Sequence, residues 1–387
     1  MRIAFYAPLK SPAHTVPSGD RRVGRLLVDA LERAGHQVDL ASSLRTFEPT
    51  GDTTRQTTLR DESHAIARDL IAKWNGPGAA ARPQIWFTYH VYHKAPDWIG
   101  PVVASKLGIP YVIAEASYAP KQAAGRWALG HAAAAEAIRA ATLILCPIRD
   151  DIECLQPLVS AHGRIMLLPP FLDSAIYSDA FRARALHREQ LSAEFGLDMK
   201  IPWIVVAAMM RIGDKLSSYR ELASALARLV DIPWQIVVVG DGAARSEVQA
   251  AIESAAPGRS RFLGEREPAA VAQIYAACDL CIWPAVNEAY GMAMLEAQAA
   301  GVPVVSHAVR GVPDVVCNGR TGLLAPAGNA QALAALSREL LLDPTRRSEM
   351  GREALHFVSM ERSVSSAAAA LQRVLIEQCG RASAALP

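Results

Sequence analysis

Residues 287–305 read NEAYGMAMLEAQAAGVPVV and hold two glutamates, Glu288 and Glu296, with seven residues between them. The apolar run LCIWP (280–284) comes just before, so Glu288 falls on a loop after a buried strand. Gly291 stands near the start of a helix that runs to about Ala300. A helix start presents unpaired N–H groups and the positive end of the dipole, so a phosphate or a sugar hydroxyl can be held there. Glu296, on that helix, could accept hydrogen bonds from a vicinal diol such as a ribose. Glu288 would meet a second hydroxylated group, one sugar-diphosphate away. An isolated pair of glutamates is more often a solvated helix face. Here the context argues otherwise: a strand precedes Glu288, a glycine opens the helix, and Gly301-Val-Pro303 leads straight into the next strand.

Other chemical signals fall away on inspection. GDGAAR (240–245) follows a strand but puts Arg245 where a dinucleotide fingerprint needs its third glycine. Cys278-Asp-Leu-Cys281 has redox or zinc spacing. No second pair or histidine cluster accompanies it, and Cys281 lies in an apolar strand, so buried thiols are expected and no metal. The chain lacks Asp-x-Asp after a strand, which would carry Mg²⁺ in a metal-dependent transferase, and it lacks the Gly-x-Ser-x-Gly elbow of hydrolases. The stretch 121–141 has Lys121, Arg126, Trp127 and Arg139, charges too sparse for more than a plain surface helix.

The elements that must position these residues alternate along the chain. Strand Ile3 to Ala7, the loop 10–20, helix Arg21 to Ala34 and strand 36–42 open the series. The polar stretch 45–62 reads as loop. Helix 63–74, strand 84–89, helix 97–107, strand 110–115, helix 127–140, strand 142–146, helix 148–161 and strand 164–168 follow. Such order implies a mostly parallel sheet with helices on both faces. Residues 172–200 are charged and lack an apolar strand, as a domain connection would. Strands at 204–209, 236–240, 261–264, 280–283, 302–306 and 321–326 then restart the alternation. The reading is α/β with two doubly wound, Rossmann-like domains. These are expected at 1–172 and 173–362, with a last helix within 363–387 packing back across them. Ligands of open parallel sheets sit beyond the carboxyl ends of the strands, where the two glutamates fall.

Length and composition agree. A chain of 387 residues suggests two to three domains, and 51% hydrophobic residues supply two cores. A net charge of +2 gives no reason to expect a nucleic-acid partner. Six cysteines are few for this length, so the chain looks reduced and cytoplasmic. No run approaches 18 apolar residues, which argues against a transmembrane helix and leaves peripheral contact with the inner face of a membrane open.

The segment Glu288-Ala-Tyr290-Gly291 … Glu296-Ala-Gln-Ala-Ala-Gly301-Val-Pro303-Val-Val resembles the signature of retaining glycosyltransferase family 4, which has the GT-B fold. GVPDVVCNGRTGLLAP (311–326), IVVVGDG (236–242), FLG (262–264) and YAACDLCIWP (275–284) fit in order and spacing, so the likeness covers most of the C-terminal half. The resemblance implies two sheets facing an interdomain cleft, closing about a hinge near 172–200. It implies a donor nucleotide-diphospho-sugar bound by the C-terminal domain. Glu288 would contact the sugar, Glu296 the ribose, and N–H groups beside Tyr290, Gly291 and Met292 the donor. An Arg and a Lys after the first strand of that domain would clamp the diphosphate, here Arg211 and Lys215 in MMRIGDKLSSYREL. Their spacing is one residue shorter than usual, and Arg220 is the alternative cation. Fixed cations aimed at a departing diphosphate stabilise developing negative charge. The loop Gly264 to Glu267 would face the base, with Gly264 and Glu265 on the donor.

The N-terminal half departs more from the family. Its loop offers Ser18 and Gly19 where relatives are richer in glycine. His90 ends the strand IWFTYH, and Glu115 and Ser117 stand where the family often has a histidine. These residues are the expected acceptor side, with His90 among the catalytic candidates. The resulting expectation is transfer of a hexosyl group from a UDP- or GDP-sugar to a glycan, lipid or small-molecule acceptor, carbohydrate or lipid-linked, without metal or cofactor. A nucleotide-sugar epimerase and a non-catalytic nucleotide-sugar binding protein are the alternatives. Oligomeric state is not legible in these residues.

Overall fold

The computed structural model describes residues 1–16, 18–76 and 81–384. They form two compact units, Met1–Pro169 with Val364–Pro387, and Pro170–Ser363. The chain passes between units at 169/170 and 363/364, beside the expected 172/173 and 362/363. The two passages touch: Leu172 N–H donates to Arg362 O at 2.9 Å, and Leu172 pairs with Ser363 in an isolated bridge.

The first unit holds six strands: β1 (Arg2–Tyr6), β2 (Gln37–Leu40), β3 (Ile85–Val91), β4 (Tyr111–Ala116), β5 (Leu143–Cys146) and β6 (Arg164–Leu167). They pair in the order β2-β1-β3-β4-β5-β6, all parallel. The second unit holds β7 (Trp203–Ala207), β8 (Gln235–Val239), β9 (Ser260–Gly264), β10 (Leu280–Trp283), β11 (Val304–His307) and β12 (Gly322–Ala325). Their order is β12-β11-β10-β7-β8-β9, again parallel. Each unit is a doubly wound α/β layer, as the alternation requires. The central strands are buried on both faces, which is why they read as unbroken Val/Ile runs: Ile204, Val205, Ile236, Val237 and Val238 are all inaccessible to solvent.

Three expectations are corrected. Residues 45–62 are not all loop, because a helix spans Thr53–Asn75. Asp52 caps it by accepting from Arg55 N–H at 3.0 Å. Its first buried positions include Gln56, whose side chain bonds Arg126 O and Gly130 N, so the buried stripe there does not look apolar. The helix expected over 148–161 stops at Leu155, followed by a single tight turn at Gln156–Leu158. The charged stretch 172–200 is not a free connection. It folds into helices Ala175–Arg182 and Arg184–Phe195, which pack on the helix Pro268–Ala277 of the second unit. The last helix, Val364–Ala384, belongs to the first unit, where it packs on the helix Gly19–Arg33.

A buried carboxylate organises the first unit's core. Asp97 accepts from Thr88 Oγ1 (2.6 Å), Tyr111 Oη (2.9 Å) and the N–H groups of Ile99 and Gly100 (both 2.8 Å). It thereby joins β3, β4 and the start of the helix Gly100–Leu107. Burial raises its pKa, and these donors pull it back. Replacing it with alanine strands several buried donors, each costing about 1–3 kcal/mol. Asp97→Ala is therefore expected to lower unfolding free energy by roughly 3 kcal/mol or more. Urea titration of the purified chain checks this.

Candidate active site

In the second unit, β7 leads to β8 and β9 on one side, while β10 starts on the other side of β7. The β7/β10 boundary is therefore the switch point, where an open parallel sheet leaves a crevice beyond its strand ends. The loop after β7 carries Arg211 and leads into the helix Asp214–Leu226, which carries Lys215. The loop after β10 carries Glu288. Lys215 Nζ forms an ion pair with Glu288 Oε2 there, and lies 5.4 Å over the ring of Trp283. Two further bonds stitch the loops together: Asn287 Nδ2 to Asp214 Oδ2 (2.9 Å) and Val286 N–H to Ser218 Oγ (3.0 Å).

The structure separates the two cations proposed for the shortened spacing. Lys215 faces the crevice, whereas Arg220 is exposed and paired with Glu247 at 2.8 Å. Arg211 is exposed and makes no side-chain hydrogen bond or ion pair among the described residues. A further cation, Arg310 on the loop after β11, donates to Asn287 Oδ1 at 3.3 Å, and Gly311 N–H donates to Ala289 O at 3.0 Å. Sequence reasoning missed Asn287, Asp214 and Arg310. Two of them flank motifs it did read, Asn287 just before Glu288 and Arg310 just before GVPDVV.

Backbone strain marks the same place. Ala285, Asn287 and Arg310 adopt φ of 61°, 52° and 43°, in the left-handed region that non-glycine residues rarely occupy. Gly291 shares that region (φ 72°) just ahead of the helix Met292–Ala299, and a Cβ there would meet Met294 Cε and lie 3.4 Å from Glu288 Cγ. The first N–H groups of this helix, from Met292 on, have no acceptor within it. Glu296 lies within it, 7% exposed, and its charge bears on Tyr275 and Cys281: burial first, then Glu296, raises both their pKa values, that of Cys281 to about 12. Tyr290 is half-buried against the core.

The Gly-Asp-Gly after β8 has a different purpose from the one its pattern suggests. A Cβ at Gly240 would run into Ala208 O, and one at Gly242 into Met210 O. These glycines let the β8 loop close on the β7 loop, fastened by Met210 N–H to Asp241 O and Ala244 N–H to Met210 O (both 2.9 Å). Gly240 N–H donates to Gly264 O at 2.8 Å, which sets Gly264 and the exposed Glu265 on the adjoining loop. Cys278 and Cys281 are buried, as expected for inert thiols.

The first unit builds a second cluster at its own switch point, between β1 and β3. His90 Nδ1 stands 3.2 Å from Asp20 Oδ1 and 3.6 Å from Glu115 Oε1. His90 and Glu115 both have φ of 63°. The Tyr92 ring lies 5.1 Å from that of His90. Ser18 caps the following helix, its Oγ accepting from Arg21 N–H at 3.2 Å. Gly19 borders open space, and Ser117 is exposed beyond β4. So His90 meets both Glu115 and Asp20, the last of which the sequence reading passed over. Burial opposes charge on His90, but Glu115 and Asp20 outweigh it and raise its pKa. The contact with His90 lowers the pKa of Asp20. Burial raises Tyr92 to about 12.

Residues 206–357 match the sequence model of the family described as glycosyl transferases group 1. The D-inositol 3-phosphate glycosyltransferase of Rhodococcus erythropolis is 31% identical over 215 residues, 53% of this chain and 47% of that one. The 2-deoxystreptamine glucosyltransferase of Streptomyces kanamyceticus is 29% identical over 266 residues, 63% and 65%. The chain thus spans about half to just under two thirds of these relatives' length. Among solved structures, sucrose-phosphate synthase from Thermosynechococcus elongatus superposes with a TM-score of 0.71 at 20% identity, covering 98% of this chain and 99% of that one. Anabaena HepE in complex with UDP gives 0.70 at 18%, covering 97% and 100%. The fold is GT-B, and the part of the second unit from 206 to 357 matches the group 1 glycosyl transferases.

The His90 cluster has a pH signature. A histidine pKa raised above its unfolded value of about 6.5 adds stability that is complete below that pH. The contribution is lost as pH rises through the folded value. The melting-temperature advantage of the wild type over His90→Gln is therefore expected to be largest near pH 6 and to shrink in alkaline buffer. Thermal unfolding across a pH series measures it, and a gap that widens with pH would contradict the assignment.

Proposed function

We propose that the chain is a retaining, metal-independent glycosyltransferase that moves a hexosyl group from a UDP- or GDP-sugar to a hydroxyl of a glycan, lipid or small-molecule acceptor. The Lys215–Glu288 pair at the β7/β10 switch point is the observation that carries this reading. A nucleoside diphosphate leaves with growing negative charge, and Lys215 on its helix and Arg211 and Arg310 on the neighbouring loops are cations that border the crevice. Glu288 holds sugar hydroxyls and orients Lys215. Glu296, on the helix that Gly291 opens, serves the ribose, and Gly264 and Glu265, at the end of β9, serve the base. Because side chains supply the positive charge, the step needs no metal ion.

The bond from the anomeric carbon to the diphosphate oxygen breaks, and the acceptor oxygen bonds to that carbon on the same face. The leaving phosphate oxygen takes the acceptor's proton, so no enzyme nucleophile is required. Asp20, His90 and Glu115 suit an acceptor rich in hydroxyl or amino groups. The names of the relatives support that class, since inositol 3-phosphate and 2-deoxystreptamine are both polyfunctional rings. HepE, which shares the fold, was solved with UDP. Among the described residues no helix is long and apolar enough to cross a membrane.

Thermal shift against UDP-, GDP-, ADP- and TDP-sugars is expected to single out one donor by specific stabilisation. With that donor, Arg211→Ala and Glu288→Ala are each expected to slow transfer about 10²–10³-fold while circular dichroism stays unchanged. Wild-type turnover in both variants would sink the assignment, and donor conversion without any acceptor would redirect it to an epimerase.

A further inference from the structure

The opposite edge of the second unit's sheet, at the amino ends of its strands, holds another group of charges. Asp279 lies just before β10, and Gly301 and Pro303 lie just before β11. All three help line a cavity of about 320 Å³ whose wall also holds Arg184, Arg347 and Arg352. The one carboxylate in that lining is already saturated. Asp279 Oδ1 accepts from Arg184 at 2.7 Å, and Oδ2 accepts from Arg188 and from Trp203 N–H, both at 2.8 Å.

The arginines keep donors to spare. Arg188 is fully engaged, bonding three backbone carbonyls and lying 4.0 Å over the Trp203 ring. Arg184 gives only its Nη2 to Asp279. Arg347 gives only its Nη1, to Leu340 O and Leu341 O at 2.6 and 3.0 Å. Arg352 contacts only Ser348 Oγ, at 3.1 Å. Two guanidiniums thus bond the one carboxylate of the lining, and Arg347 and Arg352 line the same cavity without a carboxylate bond of their own. Burial, with Arg184 and Arg188 facing it, lowers the pKa of Arg347 against the pull of Asp279 and Asp343. A planar guanidinium with free N–H groups is matched by phosphate oxygens.

We propose that this cavity binds a soluble, phosphate-bearing small molecule through Arg184, Arg347 and Arg352, at a site separate from the Lys215–Glu288 crevice. The phosphate oxygens take the unused N–H groups and relieve the excess positive charge. About 320 Å³ has room for a phosphate monoester with a few further heavy atoms.

The test is calorimetric titration of the full chain with inorganic phosphate, pyrophosphate and glycerol 3-phosphate at matched ionic strength. At least one is expected to bind saturably, and equally well to an Arg211→Ala/Lys215→Ala variant. Arg184→Gln/Arg352→Gln is expected to weaken that binding about tenfold or more while leaving donor-induced thermal shift intact. If loss of the Arg184–Asp279 pair unfolds the chain, Arg352→Gln alone is expected to weaken binding severalfold. Binding lost in the Arg211/Lys215 variant and retained in the arginine variants would overturn the proposal, as would no saturable binding. Binding only to phosphatidic-acid vesicles would overturn the soluble-ligand assignment. Because the two variants act on opposite sheet edges, failure here leaves the transferase reading standing.

Discussion

Lys215 meets Glu288 because β10 lies beside β7. The two residues are 73 positions apart, and nothing local in the chain brings them together. Parallel pairing of Leu280 with Ile204 and of Cys281 with Val205 fixes the register, so the loops after both strands leave the same edge side by side. The ion pair does not hold the sheet. Lys215 and Glu288 side chains are 34% and 20% exposed, and pairs open to solvent contribute little, about 0–1 kcal/mol. The causal order runs from buried apolar strands to sheet order to charge placement.

The same order explains where strain is tolerated. His90, Glu115, Ala285, Asn287 and Arg310 all take left-handed backbone, and all lie at or just beyond the carboxyl ends of strands. Each such residue costs on the order of 1–3 kcal/mol and persists only where its surroundings over-determine it. In the second unit those surroundings are explicit: Asn287 is held by Asp214 and by Arg310, while Val286 N–H is held by Ser218. In the first unit, Tyr89 pairs with Ala114 and Val91 with Ala116, so the ladder resumes on both sides of the strained His90 and Glu115. There the His90 ring meets both Asp20 and Glu115.

The strands and the Glu288–Gly301 motif were legible because buried parallel strands leave continuous apolar runs and because the motif is contiguous. What was not legible depends on partners distant in sequence. The start of the helix Thr53–Asn75 read as loop because Gln56 is buried by bonding Arg126 O and Gly130 N, not by being apolar. The helices of 175–195 read as a solvated connection because Arg184 and Arg188 look like surface charge. Their carboxylate, Asp279, arrives from about ninety residues downstream. Lys215 and Arg220 were interchangeable on spacing. Only the helix that carries both decides that one faces Glu288 and the other Glu247. Asp20, His90 and Glu115 come from a helix start and the ends of two strands, far apart in the chain, and no contiguous pattern could have joined them.

Strand β10 connects two unlike electrostatic sites. At its amino end Asp279 is saturated by two arginines and a backbone N–H. At its carboxyl end Glu288, on a loop with left-handed backbone at Ala285 and Asn287, meets a single lysine. The chain's formal charge of +2 averages over these places and reveals neither. A near-neutral total gives no reason to expect a polyanion, whose grip needs a field summed over many charges. It does not exclude a small anion, because only charges within about one Debye length, roughly 8–10 Å, act on it. On that scale both edges of the second unit's sheet carry arginine or lysine with donors to spare. The distribution of charge about β10, rather than its sum, sets what this unit can hold.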